Sequence, residues 1–333
     1  MILAIVEHAA GHPDRLSLEA LVLARRLAGS GAVQAVLLGE GARTAAAELA
    51  GQGVAIAHVA EDPRLEPFAP AAWAAAVHAV VASNAPAVVL APGSDRATEV
   101  LAHLAARSGL PMAANVVDVA ASAEDAAGGA PLRLTRQRWA GSLLEDAVLD
   151  APVKLLGVAA HAFEPEAVGD GAPGAAPAIE AVTVAPADAD LRVHVSGRVP
   201  ADAGSISLGD AKIVVGGGRG LGSAEAFAML DELAGLIGAA VGVSRVATSA
   251  GWRPHAQQIG QTGQRIAPDL YIACGISGAI QHIVGCKAAK QILVINSDPE
   301  APILSRASYA VIGDLHAIVP AISAEVRRVR AGG

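Results

Sequence analysis

The stretch "AKIVVGGGRGLGSAEAFAMLDELAGLIGAAVG", residues 211 to 242, runs from an apolar strand through a glycine turn into a helix. That order opens a parallel α/β unit, because the turn lets a strand pass directly into a helix lying on its own sheet. Further on, short apolar runs recur at "SRVAT" (244–248), "LYIACG" (270–275), "QILVIN" (291–296) and "YAVIG" (309–313), with helical segments between them. Apolar runs of this length suit strands buried on both faces. The expectation is a doubly wound parallel sheet, which gathers its ligands at the carboxyl ends of the strands.

The preceding half alternates in the same way. Strands are expected at 2–6, 33–39, 54–60 and 87–93, and helices at 17–28, 42–50 and 71–83, with Ser94 or Asp95 capping a further helix. The fold class is therefore α/β, with two doubly wound, Rossmann-like parallel-sheet domains. From 132 to 163 the helical period disappears, which suggests antiparallel strands added at an edge. The proline-, glycine- and alanine-rich run 164–180 cannot build a core and is expected as an excursion. The segment 181–202 would then return one strand, and the domains would span 1–200 and 206–330.

Composition narrows the function classes. The chain has 333 residues, 53% of them hydrophobic and 17% charged, enough apolar material for two cores. Its net charge of −8 disfavours a grip on nucleic acid, and with 2% aromatics few rings could stack on bases. Cys274 and Cys286 have no metal-ligand spacing and fit small core residues in a reducing compartment. "MILAIV" is broken by Glu7 and His8, too soon for an export signal or a membrane span. The cytoplasm, or an organelle matrix, is the expected location, with no metal and no membrane segment.

Polar and glycine residues cluster at the expected strand ends of the second half. In "GGGRGLGS" (216–223) a glycine turn before a helix can offer amide groups to an anion, or can serve only for close packing; Arg219 within it favours the anion. The spacing is G-x-G-x-x-S, and no Gly-Lys-Ser/Thr follows, so it is neither a clean dinucleotide fingerprint nor a Walker loop. About twenty residues on, the sequence offers Ser244 and Arg245 and no carboxylate, which disfavours NAD and leaves NADP open. "GISGAIQH" (275–282) departs from the hydrolase elbow at Ala279, and His282 is only five residues beyond Ser277. It reads better as a second anion-facing turn, with His282 either near the ligand or a structural core residue. Thr262 and Gln261 in "GQTG" (260–263), and Asn296 and Asp314 after apolar strands, complete the set. Five strand ends converging on one edge indicate a large phosphate-bearing cofactor.

Taken in order, "GGRGLGS", "VGVSR", "IGQTGQRIAPDLYIACGISGAIQH" and "INSDPEAPI", followed by Asp314 and Leu315, closely resemble the electron transfer flavoprotein alpha subunits. "TRQRWAG" and "VKLLGVAAHAFE" resemble the same family with weaker specificity. The resemblance implies a noncovalent FAD in the second domain of an electron carrier that is not itself an enzyme. It implies that Arg219, Ser244 and Arg245 lie near the flavin half. Ile259, Gly260, Gln261 and Thr262 would line the ring, Thr262 near its reactive nitrogen. Ser277, Gly278, Ala279, Ile280, Gln281 and His282 would hold the pyrophosphate, the ribityl chain and a ring oxygen, and Asn296, Asp314 and Leu315 the adenosine end.

The resemblance further implies a beta subunit that completes a heterodimer and carries AMP, with the first domain as a platform against it. Flavin dehydrogenases such as acyl-CoA dehydrogenases of fatty acid β-oxidation would donate electrons, and a membrane quinone oxidoreductase would accept them. Arg245, Thr262 and His282 would tune the flavin, with Arg245, His282 and the helix start near 278–282 stabilising its reduced, anionic form. The competing readings are an NADP-binding, transhydrogenase-like oxidoreductase and a nucleotide-binding module without redox chemistry.

Overall fold

The computed structural model describes residues 1–168, 175–197 and 206–331. The chain divides into two compact units, residues 1–199 and 200–333. The boundary expected near 200–206 falls almost wholly outside the described residues, as does 169–174 within the expected excursion.

The first unit runs β1 (Ile2–Ile5), β2 (His8–Ala9), β3 (His12–Pro13), α1 (Arg15–Ala28), β4 (Val33–Leu38), α2 (Ala42–Ala47), β5 (Val54–Ala60), α3 (Pro70–Asn84), β6 (Val88–Ala91) and α4 (Asp95–Ser108). It continues through β7 (Met112–Ala120), α5 (Ala123–Gly128), β8 (Leu132–Arg138), β9 (Leu143–Leu149), β10 (Lys154–Val158) and β11 (Ala178–Ala181). Nine strands form one sheet in the order β11-β5-β4-β1-β6-β10-β7-β8-β9. All neighbours are parallel as far as β7, and β8 and β9 extend the edge antiparallel. Helices start where side chains replace the missing carbonyl partners. Asp14 accepts the Ser17 N–H before α1, and Ser94 accepts the Ala97 N–H before α4. One core layer forms around Leu21, Leu37 and Leu156, the other around Leu3, Trp73 and Leu155.

Three expectations need correction here and in the second unit. The segment at 154–158 is not antiparallel: β10 lies inside the sheet, parallel to both β6 and β7. All five of its residues are buried, the signature of a strand covered on both faces. Even Lys154 is fully buried, its ammonium donating to the Gly129 carbonyl at 2.6 Å, which closes the carboxyl end of α5. The returning strand comes at β11, which runs from the last residues of the expected excursion into Ala181, and pairs with β5 at the sheet edge. Finally, "SRVAT" is not a strand.

In the second unit β12 (Ile213–Gly217) leads through two single-turn 3₁₀ segments to α6 (Ala228–Ile237). β13 is Ala240–Val243, and the residues once expected as a strand form α7 (Arg245–Ser249). The shift arises because α6 stops at Gly238, whose left-handed φ of 67° ends the helix and leaves "AVGV" to pair with β12. Then follow β14 (Leu270–Cys274), α8 (Ile280–Cys286), β15 (Gln291–Asn296), β16 (Tyr309–Ile312) and α9 (Leu315–Ala331). The sheet order is β13-β12-β14-β15-β16, parallel throughout. Both units are thus doubly wound α/β sheets, and the second places the carboxyl ends of β12, β13, β14 and β15 side by side.

Candidate functional site

Those strand ends open into a cavity of about 560 Å³. Its size falls within the range of about 300–1,000 Å³ typical of cofactor and ligand sites. Of the residues expected at a site, Arg219, Ser244, Arg245, Ile259, Gly260, Gln261, Thr262, Ser277, Gly278, Ala279, Gln281, His282 and Asn296 line it. Three do not. The Ile280 side chain is 72% exposed, and Leu315 is packed into the core beside Leu221 and Ile295. Asp314 caps α9 by accepting the His316 N–H at 2.9 Å.

The glycine loop after β12 does not offer its amides to an anion as expected. The Gly218 N–H donates to the Cys274 carbonyl and the Gly220 N–H to the Gly275 carbonyl, both at 3.0 Å. The Leu221 and Gly222 amides close back onto Gly218 and Arg219. A Cβ at Gly218 would lie 2.3 Å from the Gly275 carbonyl oxygen, and one at Gly220 would lie 2.7 Å from the Gly275 Cα. These glycines exist so that two strand-end turns can touch.

The second turn differs. Ser277, Gly278, Ala279 and Gln281 line the cavity, and no protein acceptor among the described residues meets the backbone N–H groups from Ser277 to Gln281. Arg219 and Arg245, on the cavity wall, have no acidic partner within 4 Å among the described residues. Unsatisfied amides and two unpaired guanidinium groups around one cavity make a site for an extended anion.

Several groups at the cavity also hold its wall in place. Asn296, buried, donates from Nδ2 to the Ile276 carbonyl at 3.0 Å, and its Oδ1 accepts the Asp298 N–H. The Gln261 N–H donates to the Gln281 carbonyl at 2.8 Å, tying the "GQTG" loop to α8. Gln258 was not singled out from the sequence, where nothing separates it from Gln257. Yet it is almost fully buried, accepts from the Thr248 hydroxyl at 2.6 Å, and donates to Thr262 Oγ1 at 3.0 Å. Because Thr262 Oγ1 receives that N–H, its own hydrogen remains available to the cavity.

His282 is 6% exposed. Burial pushes its pKa down to about 4, the nearby Ile259 carbonyl opposing only part of this. At neutral pH the imidazole is therefore uncharged in the chain itself. Nε2 meets the Tyr271 hydroxyl at 2.8 Å, while Nδ1 is buried and makes no hydrogen bond of full geometry, although the Ile259 backbone lies close to the ring. Such a nitrogen, in a residue that lines the cavity, fits an acceptor supplied by a ligand. A folded-state pKa near 4 against the ordinary imidazole value of 6.5 means that the unfolded chain binds the extra proton first. Stability from this residue is thus present above about pH 6.5 and lost as pH falls toward 4, by about 3 kcal/mol at most. Urea titrations of the ligand-free chain from neutral to acid pH should show this slope, and His282→Gln should flatten it. An identical slope in the variant would refute the assignment.

Cys274 and Cys286 are buried, with thiols pushed up to about 12, so neither is a reactive nucleophile. Among the described residues no group of His, Cys, Asp and Glu could hold a metal ion, and no helix is long and apolar enough to cross a membrane.

Comparison with known proteins agrees with this geometry. A family model described as electron transfer flavoprotein domain matches residues 2–187, and one described as electron transfer flavoprotein FAD-binding domain matches residues 207–287. The chain is 34% identical over 319 residues to the electron transfer flavoprotein subunit alpha of Bacillus subtilis, covering 96% of this chain and 95% of that one. It is 37% identical over 326 residues to that of Mycobacterium tuberculosis, covering 98% of each. Against the Paracoccus denitrificans subunit, identity rises to 48% over 161 residues, about half of each chain.

Proposed function

The chain belongs to the electron transfer flavoprotein alpha-subunit family, a family of electron carriers, and from that premise we propose how its second unit holds FAD and whom it serves. The observation that carries the reading is the cavity whose wall combines unpaired amides at 277–281, unpaired Arg219 and Arg245, and the buried Nδ1 of His282. Bound FAD supplies a ring that takes up and releases electrons one or two at a time. The amides of Ser277 to Gln281 bind the pyrophosphate and fix its position along the strand ends. Arg219 and Arg245 offset the negative charge of the cofactor, Arg245 on the side of the ring. Ser244 and Thr262 offer hydroxyl groups, Thr262 with its hydrogen directed by Gln258. His282 donates a neutral N–H to a ring oxygen and, being uncharged, does so without the desolvation cost of a buried cation. Asn296 acts on the adenosine side through the loop it braces, while Asp314 and Leu315 act only by placing α9.

The first unit supports the role of platform. Its antiparallel edge exposes Trp139 (80%) and Leu144 (68%), with Leu143 and Val148 beside them. Exposed apolar side chains on an edge hairpin suit burial against another chain. The partner in this reading is the beta subunit, which carries AMP. Dehydrogenases, among them acyl-CoA dehydrogenases, donate electrons and a membrane quinone oxidoreductase receives them, in the cytoplasm or an organelle matrix.

The test is the visible spectrum of the chain co-expressed with its beta subunit, with the cofactor extracted and identified. The expected result is a yellow heterodimer with one FAD and one AMP. A colourless complex that cannot be reconstituted with FAD would overturn the reading, and two FAD would make it an electron-bifurcating type.

A further inference from the structure

Tyr271 stands in the middle of β14 and is fully buried. Its hydroxyl lies 2.8 Å from His282 Nε2, and the two ring centres are 6.0 Å apart. A Cβ at Gly216 on the neighbouring strand would sit 2.3 Å from that hydroxyl, so β12 is cut back to make room for it. Around the pair the core is apolar, formed by Val214, Ala273 and Val294 among others. Phenylalanine would fill this space without the burden of a buried hydroxyl, which calls for a partner.

Burial keeps the Tyr271 phenol protonated, its pKa raised well above 10. The hydroxyl therefore has a hydrogen to donate, and among the described residues its one hydrogen-bond partner is His282 Nε2. A nitrogen that accepts must carry the lone pair, so in the neutral ring the hydrogen resides on Nδ1. Nδ1 makes no hydrogen bond of full geometry, although the Ile259 backbone is close enough to the ring to raise its pKa.

We propose that Tyr271 is a positioning residue that holds His282 as the Nδ1–H tautomer, so that the cavity presents one fixed N–H donor to an acceptor oxygen on its ligand. The identity of that oxygen, a carbonyl of the flavin ring, rests on the FAD reading; the tautomer does not. The opposite tautomer would turn a lone pair toward the same oxygen and repel it.

The experiment uses the full chain co-expressed with its beta subunit and labelled with ¹⁵N-histidine, before and after FAD is removed. Long-range proton–nitrogen spectra report the tautomer, and the His282 signals are those lost in His282→Gln. The wild type is expected to show Nδ1–H with and without FAD, unchanged between about pH 6 and 8. Tyr271→Phe is expected to release the preference, weaken FAD binding about tenfold, and make the one-electron potential more negative. An Nε2–H signal in the wild type overturns the proposal without reliance on any variant. So does a Tyr271→Phe protein that keeps both the Nδ1–H signal and wild-type FAD affinity. A wild-type chain that shows Nδ1–H yet takes up no FAD supports the tautomer and overturns the cofactor reading.

Discussion

Replacing Gly278 with alanine is expected to abolish retention of FAD while leaving the first unit folded. Gly278 has φ +82°, in the left-handed region where a side chain costs about 1–2 kcal/mol. A Cβ there would also lie 2.5 Å from the Ile303 nitrogen and 2.6 Å from its Cβ. Neither atom can retreat, because Ile303 is fully buried and its N–H donates to the Ser277 carbonyl at 3.1 Å. Relief must come from the turn itself, which displaces the amides at 277–281. Strain and displacement together should exceed about 3 kcal/mol, or more than about a hundredfold in affinity. Gly222→Ala is the control: its φ is +81°, but a Cβ there meets nothing within 4 Å, so it carries the strain without the collision. Absorbance at isolation and FAD titration check both. Wild-type affinity in Gly278→Ala would mean that this turn does not hold the cofactor.

Arg245→Ala is expected to make the one-electron potential of the bound flavin more negative by about 60 mV or more. The residue begins α7 at the end of β13, lines the cavity, and has no acidic partner among the described residues to absorb its charge. A unit charge about 4 Å from another is worth about 1 kcal/mol in water and about 4 kcal/mol at an effective dielectric of 20. About 1.4 kcal/mol corresponds to about 59 mV for one electron. Because His282 is neutral near pH 7, with its pKa pushed down to about 4, Arg245 stands as the main positive group proposed on the ring side. Arg245→Lys should recover part of the shift and Arg245→Ala none. Spectroelectrochemical titration of the holoprotein measures it, and an unchanged potential in Arg245→Ala would remove the residue from this role.

Much of this architecture was legible in the residues. Apolar runs and helical spacing placed β1, β4, β5, β6, β12, β14, β15 and β16, since each is a short strand bounded by turn residues. β10 was misjudged because it follows a true antiparallel hairpin, although its unbroken apolar run is that of a central parallel strand. The strand expected at 244–248 was displaced because glycines at 235, 238 and 242 hide where the helix ends; the left-handed Gly238 decides it. At the site, the glycine loop after β12 looked like an anion cradle and proved to be a contact between two turns. A glycine needed for closeness and one needed for a ligand are the same residue in sequence.

The residue pattern by itself determined the α/β class, the two sheets, the family, and which segments meet at the carboxyl edge of the second sheet. The class and the sheets follow from periodicity and order along the chain, which are local properties, and the family from the resemblance of an ordered set of motifs. Only the tertiary structure decided which amides remain unpaired, that Asn296 and Asp314 brace the backbone, that Gln258 directs Thr262, and that His282 is neutral with one nitrogen lacking a full hydrogen bond. Each of these depends on distances between segments far apart in the chain and on how deeply a group is withdrawn from water. The Gly218 amide is satisfied by Cys274 and His282 Nε2 by Tyr271, pairings that no spacing along the chain encodes.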